Sequence, residues 1–186
     1  MQLVEKARSN VGKMPIVLPE GSFISVLNNN LFIRGKLGVC KVRVPEFLDV
    51  CMKDSSLCVY PNRALKISEI MLWGTYRTLV SCAVMGVMFG FRHQLELFGL
   101  GYKVGIINGM VVLRVGTSHE ISYRVPSFCL VKAITPTRLL VKSVDAAQAG
   151  SVAASLYTLR KPDTYKGKGI RWHVKPVILK EGKKQK

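Results

Sequence analysis

Apolar residues come in short runs over most of the chain, and the runs fall in pairs separated by turn residues. Phe23 to Leu27 and Leu31 to Arg34 flank Asn28-Asn29-Asn30, and Tyr102 to Ile107 and Met110 to Val115 flank Asn108-Gly109. Runs rich in β-branched and aromatic residues read as strands. Asn-Gly between two of them reads as a hairpin, because both central residues of a type I′ turn need positive φ. Phe47 to Met52 pairs in the same way with Leu57 to Tyr60 across Asp54-Ser55-Ser56, and Phe128 to Ile134 with Arg138 to Val141 across Thr135-Pro136-Thr137. In two places the period becomes helical. From Ser68 to Phe89, Leu72, Tyr76, Leu79, Val80, Ala83 and Val87 make one stripe, with Ser68 as cap and Glu69 at the positive end. From Asp145 to Arg160, Val152, Leu156 and Leu159 make the stripe. Asp145 with Gln148 resembles a capping box, Arg160 and Lys161 suit the negative end, and Pro162 stops the helix.

These elements repeat. A shift of 81 positions lays Gly35 on Gly116, Arg43-Val44-Pro45 on Arg124-Val125-Pro126, Phe47 on Phe128 and Val50 on Val131. Several matches at one offset, inside matching element patterns, point to a duplicated unit. Hairpins and meanders followed by a packed helix make an α+β fold with antiparallel sheets. The expected organisation is an N-terminal extension over 1–13, a first α+β domain over 14–89, a second over 90–162, and a basic C-terminal segment over 163–186.

Composition narrows what this fold is for. The chain holds 28 Lys and Arg against 11 Asp and Glu, a net charge of +17, and a surplus of that size calls for a polyanionic partner. At 48% hydrophobic residues it also has ample material for a core, which excludes a disordered basic tail. The longest uncharged apolar stretch, between Arg77 and Arg92, is 14 residues, shorter than the roughly 20 of a spanning helix, so it is expected in a core. Met1 to Asn10 has no apolar region of a secretory signal. Cys40, Cys51, Cys58, Cys82 and Cys129 are irregularly spaced and odd in number. They are expected to be free thiols, most of them buried, in a reducing compartment. His93, His119 and His173 show no metal-ligand spacing, and no cofactor is implied.

Charge is densest at the end of the chain, where residues 161–186 hold nine basic and two acidic residues. The run from Lys161 to His173 mixes cations, glycines and aromatics. Lys161, Lys166, Lys168 and Arg171 can neutralise phosphates. Gly167 and Gly169 let backbone amides approach them, and Tyr165 and Trp172 can stack on exposed bases. The alternative for the two aromatics is a solvated loop with Trp172 tucked into the core. The tail lysines Lys183, Lys184 and Lys186 suit loose contacts as well as a defined site. Catalytic groupings are missing. Glu46 and Asp49 have no partner group in view, Ser118-His119 lacks a nucleophile elbow, and Gly99-Leu100-Gly101 precedes a strand, not a helix. The chain is therefore expected not to be an enzyme.

Several motifs resemble the bacterial-type ribosomal protein L-six family of the large subunit. Val11-Gly12-Lys13-Met14-Pro15-Ile16 and Leu18-Pro19-Glu20-Gly21 resemble its opening, and Gly74-Thr75-Tyr76-Arg77-Thr78-Leu79 its first helix. Leu95 to Lys103 is similar to its linker strand, Ser118-His119 to its Ser-His loop, and Lys161 to Arg171 to its most specific motif. The resemblance implies two similar α+β domains. It also implies binding to large-subunit ribosomal RNA near the sarcin–ricin loop and the stalk base, mainly through the second domain and the C-terminal segment. Lys166, Gly167, Lys168, Gly169 and Arg171 carry over as RNA contacts, with Arg77, Ser118 and His119 as weaker ones. Implied partners are that RNA and neighbouring large-subunit proteins near the stalk base, with no membrane and no small-molecule substrate. The chain departs from the family at Glu120, where Pro usually follows Ser-His, and in its first ten residues. Its five cysteines and its Met85-Gly86-Val87-Met88 run suggest an organellar ribosome, mitochondrial first, then plastid, then a bacterial one. A non-ribosomal RNA-binding module is the rival reading.

Overall fold

The computed structural model describes residues 9–53 and 55–182, which form two compact units, Met1–Gly90 and Phe91–Lys186. Most of the N-terminal extension, Asp54 and the tail lysines Lys183, Lys184 and Lys186 lie outside the described residues. The first unit has two three-stranded antiparallel sheets. One is the meander β2 (Phe23–Leu27), β3 (Asn30–Gly35) and β4 (Gly38–Arg43). The other has the order β1 (Ile16–Val17), β6 (Ser56–Pro61), β5 (Leu48–Lys53), and helix α1 (Ile67–Phe89) packs on the strands. The second unit repeats this scheme. A meander of β8 (Lys103–Ile107), β9 (Met110–Arg114) and β10 (Ile121–Arg124) faces a sheet of order β11 (Cys129–Thr135), β12 (Arg138–Ser143), β7 (Phe91–Phe98), β13 (Gly169–Trp172), with α2 (Ala146–Leu159) against the latter.

The duplication is real but not gapless. Asn28 and Asn29 (φ 47° and 59°) turn the first hairpin, and Asn108 and Gly109 (φ 50° and 74°) turn the second, 80 positions on. The corners that follow the meanders keep the offset of 81. Leu48 N donates to Pro45 O and Cys129 N donates to Pro126 O, both at 3.0 Å, so the Arg-Val-Pro corners are equivalent. One residue is therefore gained between the hairpin and the corner. As a result Gly35 does not fall on Gly116. Gly35 closes β3 opposite Gly38, and an added Cβ there would meet Val87 O at 2.7 Å. Gly116 lies past the end of β9 with φ 73°. Among the described residues, β13 has no counterpart in the first unit. Residues 169–172 are the edge strand of the second sheet, not part of a free extension.

Helix α1 begins one residue earlier than expected, and its cap is Lys66, not Ser68. Glu69 closes the turn by accepting from Lys66 N at 2.9 Å, and that backbone donor, with Arg63 beside it, holds its carboxyl below the ordinary range. The buried side is formed by Trp73, Val80, Ala83, Val84 and Val87, whereas Leu72 and Leu79 face solvent. Apolar residues surround this helix, so its sequence allows the stripe to be drawn in several phases. Its 23 residues are long and apolar enough to cross a membrane by length and composition. Here one face is core, and Trp73 Nε1 donates to Val59 O at 3.0 Å. Helix α2 keeps its expected cap, with Asp145 Oδ1 accepting from Ala147 N, and buries Val152 and Leu156. Cys51, Cys58, Cys82 and Cys129 are free thiols. Only Cys129 is buried, and the other four are half-buried, because their strand and helix positions sit at the edge of each core rather than inside it.

Candidate nucleic-acid interface

The basic C-terminal segment is fixed at both ends. Pro162 prevents α2 from continuing, and the chain then doubles back through residues 163–168 to enter β13, where Ile170 pairs with Leu97 and is fully buried. Two backbone hydrogen bonds close the loop: Asp163 N donates to Lys168 O (2.9 Å) and Ile170 N to Arg160 O (2.8 Å). Asp163 Oδ2 accepts from Lys166 N at 3.2 Å. That donor, with the Tyr165 and Thr164 amides behind it, holds the Asp163 carboxyl below its ordinary value, so it stays ionised and anchors the turn.

The glycines and cations of this segment separate into two groups. Gly169 has φ 147°, and a Cβ there would lie 2.7 Å from Lys161 O and Pro162 Cα. Gly167 has φ 64° and is buried against Arg171 and Leu179. Both positions demand glycine so that the loop can pack onto its own backbone. Arg171 is turned inward as well. Its Nε donates to Gly167 O at 2.8 Å, Nη2 donates to the same oxygen, and the guanidinium lies 4.0 Å over the Phe98 ring. Trp172 takes the tucked position. It faces α2, edge-on to His93 at 5.4 Å and near Tyr157 at 6.2 Å. Lys161, Tyr165, Lys166 and Lys168 remain exposed.

Around these four the fold assembles more than the motif contains. Lys161 and Lys168 line a recess of about 460 Å³ with Tyr102, Thr158, Arg160 and Asp163. Tyr102 and Arg160 are the members sequence reasoning missed. Arg160 reads as a helix-end charge and Tyr102 as a strand residue 59 positions from Lys161, and only the return of the chain after α2 brings them together. The other side of Tyr102 touches Gly99 and Gly116, so the exposed loop with Ser118 and His119 starts beside the same ring. In that loop Thr117 Oγ1 donates to His119 O, and Glu120 pairs with Arg114. Arg77 is placed elsewhere. In the first unit it donates to Met14 O (3.1 Å) and Pro15 O (2.9 Å), tying the N-terminal strand to α1. Among the described residues no group of His, Cys, Asp and Glu is arranged to hold a metal.

Comparison with known proteins adds an independent line. The family described as Ribosomal protein L6 matches residues 98–172, the stretch from the end of β7 through β13. Over 177 residues the chain is 38% identical to the large ribosomal subunit protein uL6 of Rhodospirillum centenum, covering 95% of this chain and 99% of the relative. It is 35% identical to the uL6 protein of Gluconacetobacter diazotrophicus at the same coverage. It is 37% identical to that of Methylacidiphilum infernorum over 94% of this chain and 97% of the relative.

Proposed function

We propose, given that this chain belongs to the ribosomal protein L6 family, that it is a structural, non-enzymatic constituent of the large ribosomal subunit. It binds large-subunit ribosomal RNA near the sarcin–ricin loop and the stalk base, beside neighbouring ribosomal proteins. The observation that carries the RNA part is the loop at 161–168. It presents three lysines and a tyrosine to solvent from a backbone locked by Gly167, Gly169 and Arg171. Phosphate recognition gains from such a frame, because the backbone that carries the cations needs no ordering when it meets the RNA. Tyr165, 58% exposed, is placed to stack on an unpaired base, and Arg160 adds an exposed cation beside Lys161, with the buried Tyr102 ring backing the recess towards the loop of Ser118 and His119. Arg77, Arg171 and Trp172 support the frame in this reading and do not grip the RNA.

The relatives named above are bacterial, which suits a bacterial ribosome. The five cysteines and the methionine run are the features that favour an organellar one, mitochondrial before plastid. Sedimentation of tagged protein from its native cells at moderate salt tests the ribosomal reading. Comigration with large subunits is expected. Migration with free RNA and never with large subunits would make the chain a non-ribosomal RNA-binding module.

A further inference from the structure

The sheet of the second unit has one face under α2 and one face open. In β7, β12 and β11 the open face carries the registered rows Arg92–Lys142–Leu130 and Gln94–Leu140–Lys132. Arg92, Lys132 and Lys142 are all exposed. Leu97 N donates to Thr137 O, and hydrogen-bonded pairs alternate along an antiparallel ladder. Arg92 and Lys142 therefore occupy a non-hydrogen-bonded site, where facing side chains come closest. Two cations directly opposed at such a site repel one another.

Among the described residues of the unit, no acid pairs with either cation. Residues 91–186 hold 17 Lys and Arg but only five acids. Glu96, on the same open face, already pairs with Arg138 (2.9 Å) and His173 (3.0 Å). Glu120 pairs with Arg114, Asp145 caps α2, and Asp163 anchors the loop. Glu181 lies in the C-terminal segment beyond β13. Among the described residues, neither Arg92 nor Lys142 makes an ion pair.

We infer that Arg92, Lys142 and Lys132 form a second phosphate-binding row, which takes the backbone of the same RNA that the loop at 161–168 grips. The inference rests on the RNA-binding reading above and deepens it. The row lies six residues along β7 from Phe98, against which β13 begins, so it is about 20 Å from the loop end of the sheet. One RNA segment must cross the sheet face, or two segments must meet on this unit, for both to be filled. Leu130 and Leu140, interleaved with the cations, offer apolar contact to sugars.

The test uses the full chain and a transcribed domain of large-subunit ribosomal RNA carrying the sarcin–ricin loop. Affinity is measured across salt concentrations beside thermal melting. Arg92→Gln with Lys142→Gln should flatten the salt slope by about two and weaken binding on the order of ten- to thirtyfold near 0.15 M salt, the amount two lost counterion-releasing contacts imply. The melting temperature should hold or rise, since a like-charge pair is removed. Arg92→Lys should retain the slope. An unchanged slope in the double variant, while Lys166→Ala with Lys168→Ala loses binding, would overturn the second row and leave the loop assignment standing. Wild-type protein that shows no salt-dependent RNA binding would overturn both. Unchanged RNA binding with weakened binding to a polyglutamate peptide would make the face a dock for an acidic protein and reject the row. A drop in melting temperature that Arg92→Lys shares would make the pair structural and also reject it.

Discussion

Lys166, Gly167, Lys168 and Gly169 are consecutive, yet they act in two different ways. The lysines point into solvent, while the glycines let the loop fold against Lys161, Pro162 and Arg171. Gly169→Ala should destabilise the chain by about 1–3 kcal/mol, because the new methyl meets backbone and the φ is one that other residues rarely adopt. Denaturant unfolding reads this directly, and a change below about 0.5 kcal/mol would mean that the loop relaxes freely. The composition of the run was legible in the sequence and its division was not. Lys166, Lys168 and Arg171 are equal cations in a string of letters. Arg171 is turned inward because it is a strand residue opposite Glu96 and beside Phe98, which only the register of β13 on β7 determines.

At the scale of elements, the hairpins were readable where turn chemistry is restrictive. Asn28-Asn29 and Asn108-Gly109 take the left-handed conformations their residue types favour. β13 was not readable, since four residues after a glycine-rich loop carry no periodicity of their own and become a strand by pairing with β7. The stripe of α1 was right at Val80, Ala83 and Val87 and wrong at Leu72 and Leu79, for a related reason. Leu72 and Leu79 are as apolar as Val80 and Val84, and packing against β3, β4 and β6 picks the side that holds Trp73. β13 and α2 are joined through Ile170 and Trp172. Ile170→Ala should cost about 2–5 kcal/mol by leaving a cavity in a fully buried site. Trp172→Ala should lower the melting temperature while leaving RNA affinity, measured well below that temperature, nearly unchanged. Weaker binding by the same factor at every salt concentration, with unchanged melting, would instead make Trp172 a stacking contact to RNA.

For the whole molecule, the two units share one plan and differ in charge. The second carries a net charge of +12 out of the chain's +17 and, among the described residues, alone has the added strand. Duplication supplied the scaffold twice, and the return of the chain after α2 equipped one copy for a polyanion. The duplication and the net charge were both legible in the sequence. The surface they produce was not, because Tyr102 lies 59 positions before Lys161 and meets Arg160, Lys161 and Lys168 only in the folded unit. The most direct test of the account is the salt dependence of RNA affinity for the Lys166→Ala, Lys168→Ala double variant, with its melting curve alongside. Two lost phosphate contacts should flatten the slope by about two, while exposed loop lysines should change stability by no more than about 0.5 kcal/mol. An unaltered affinity and slope would show that the loop does not grip the RNA. A much earlier melt would show that these lysines hold the fold.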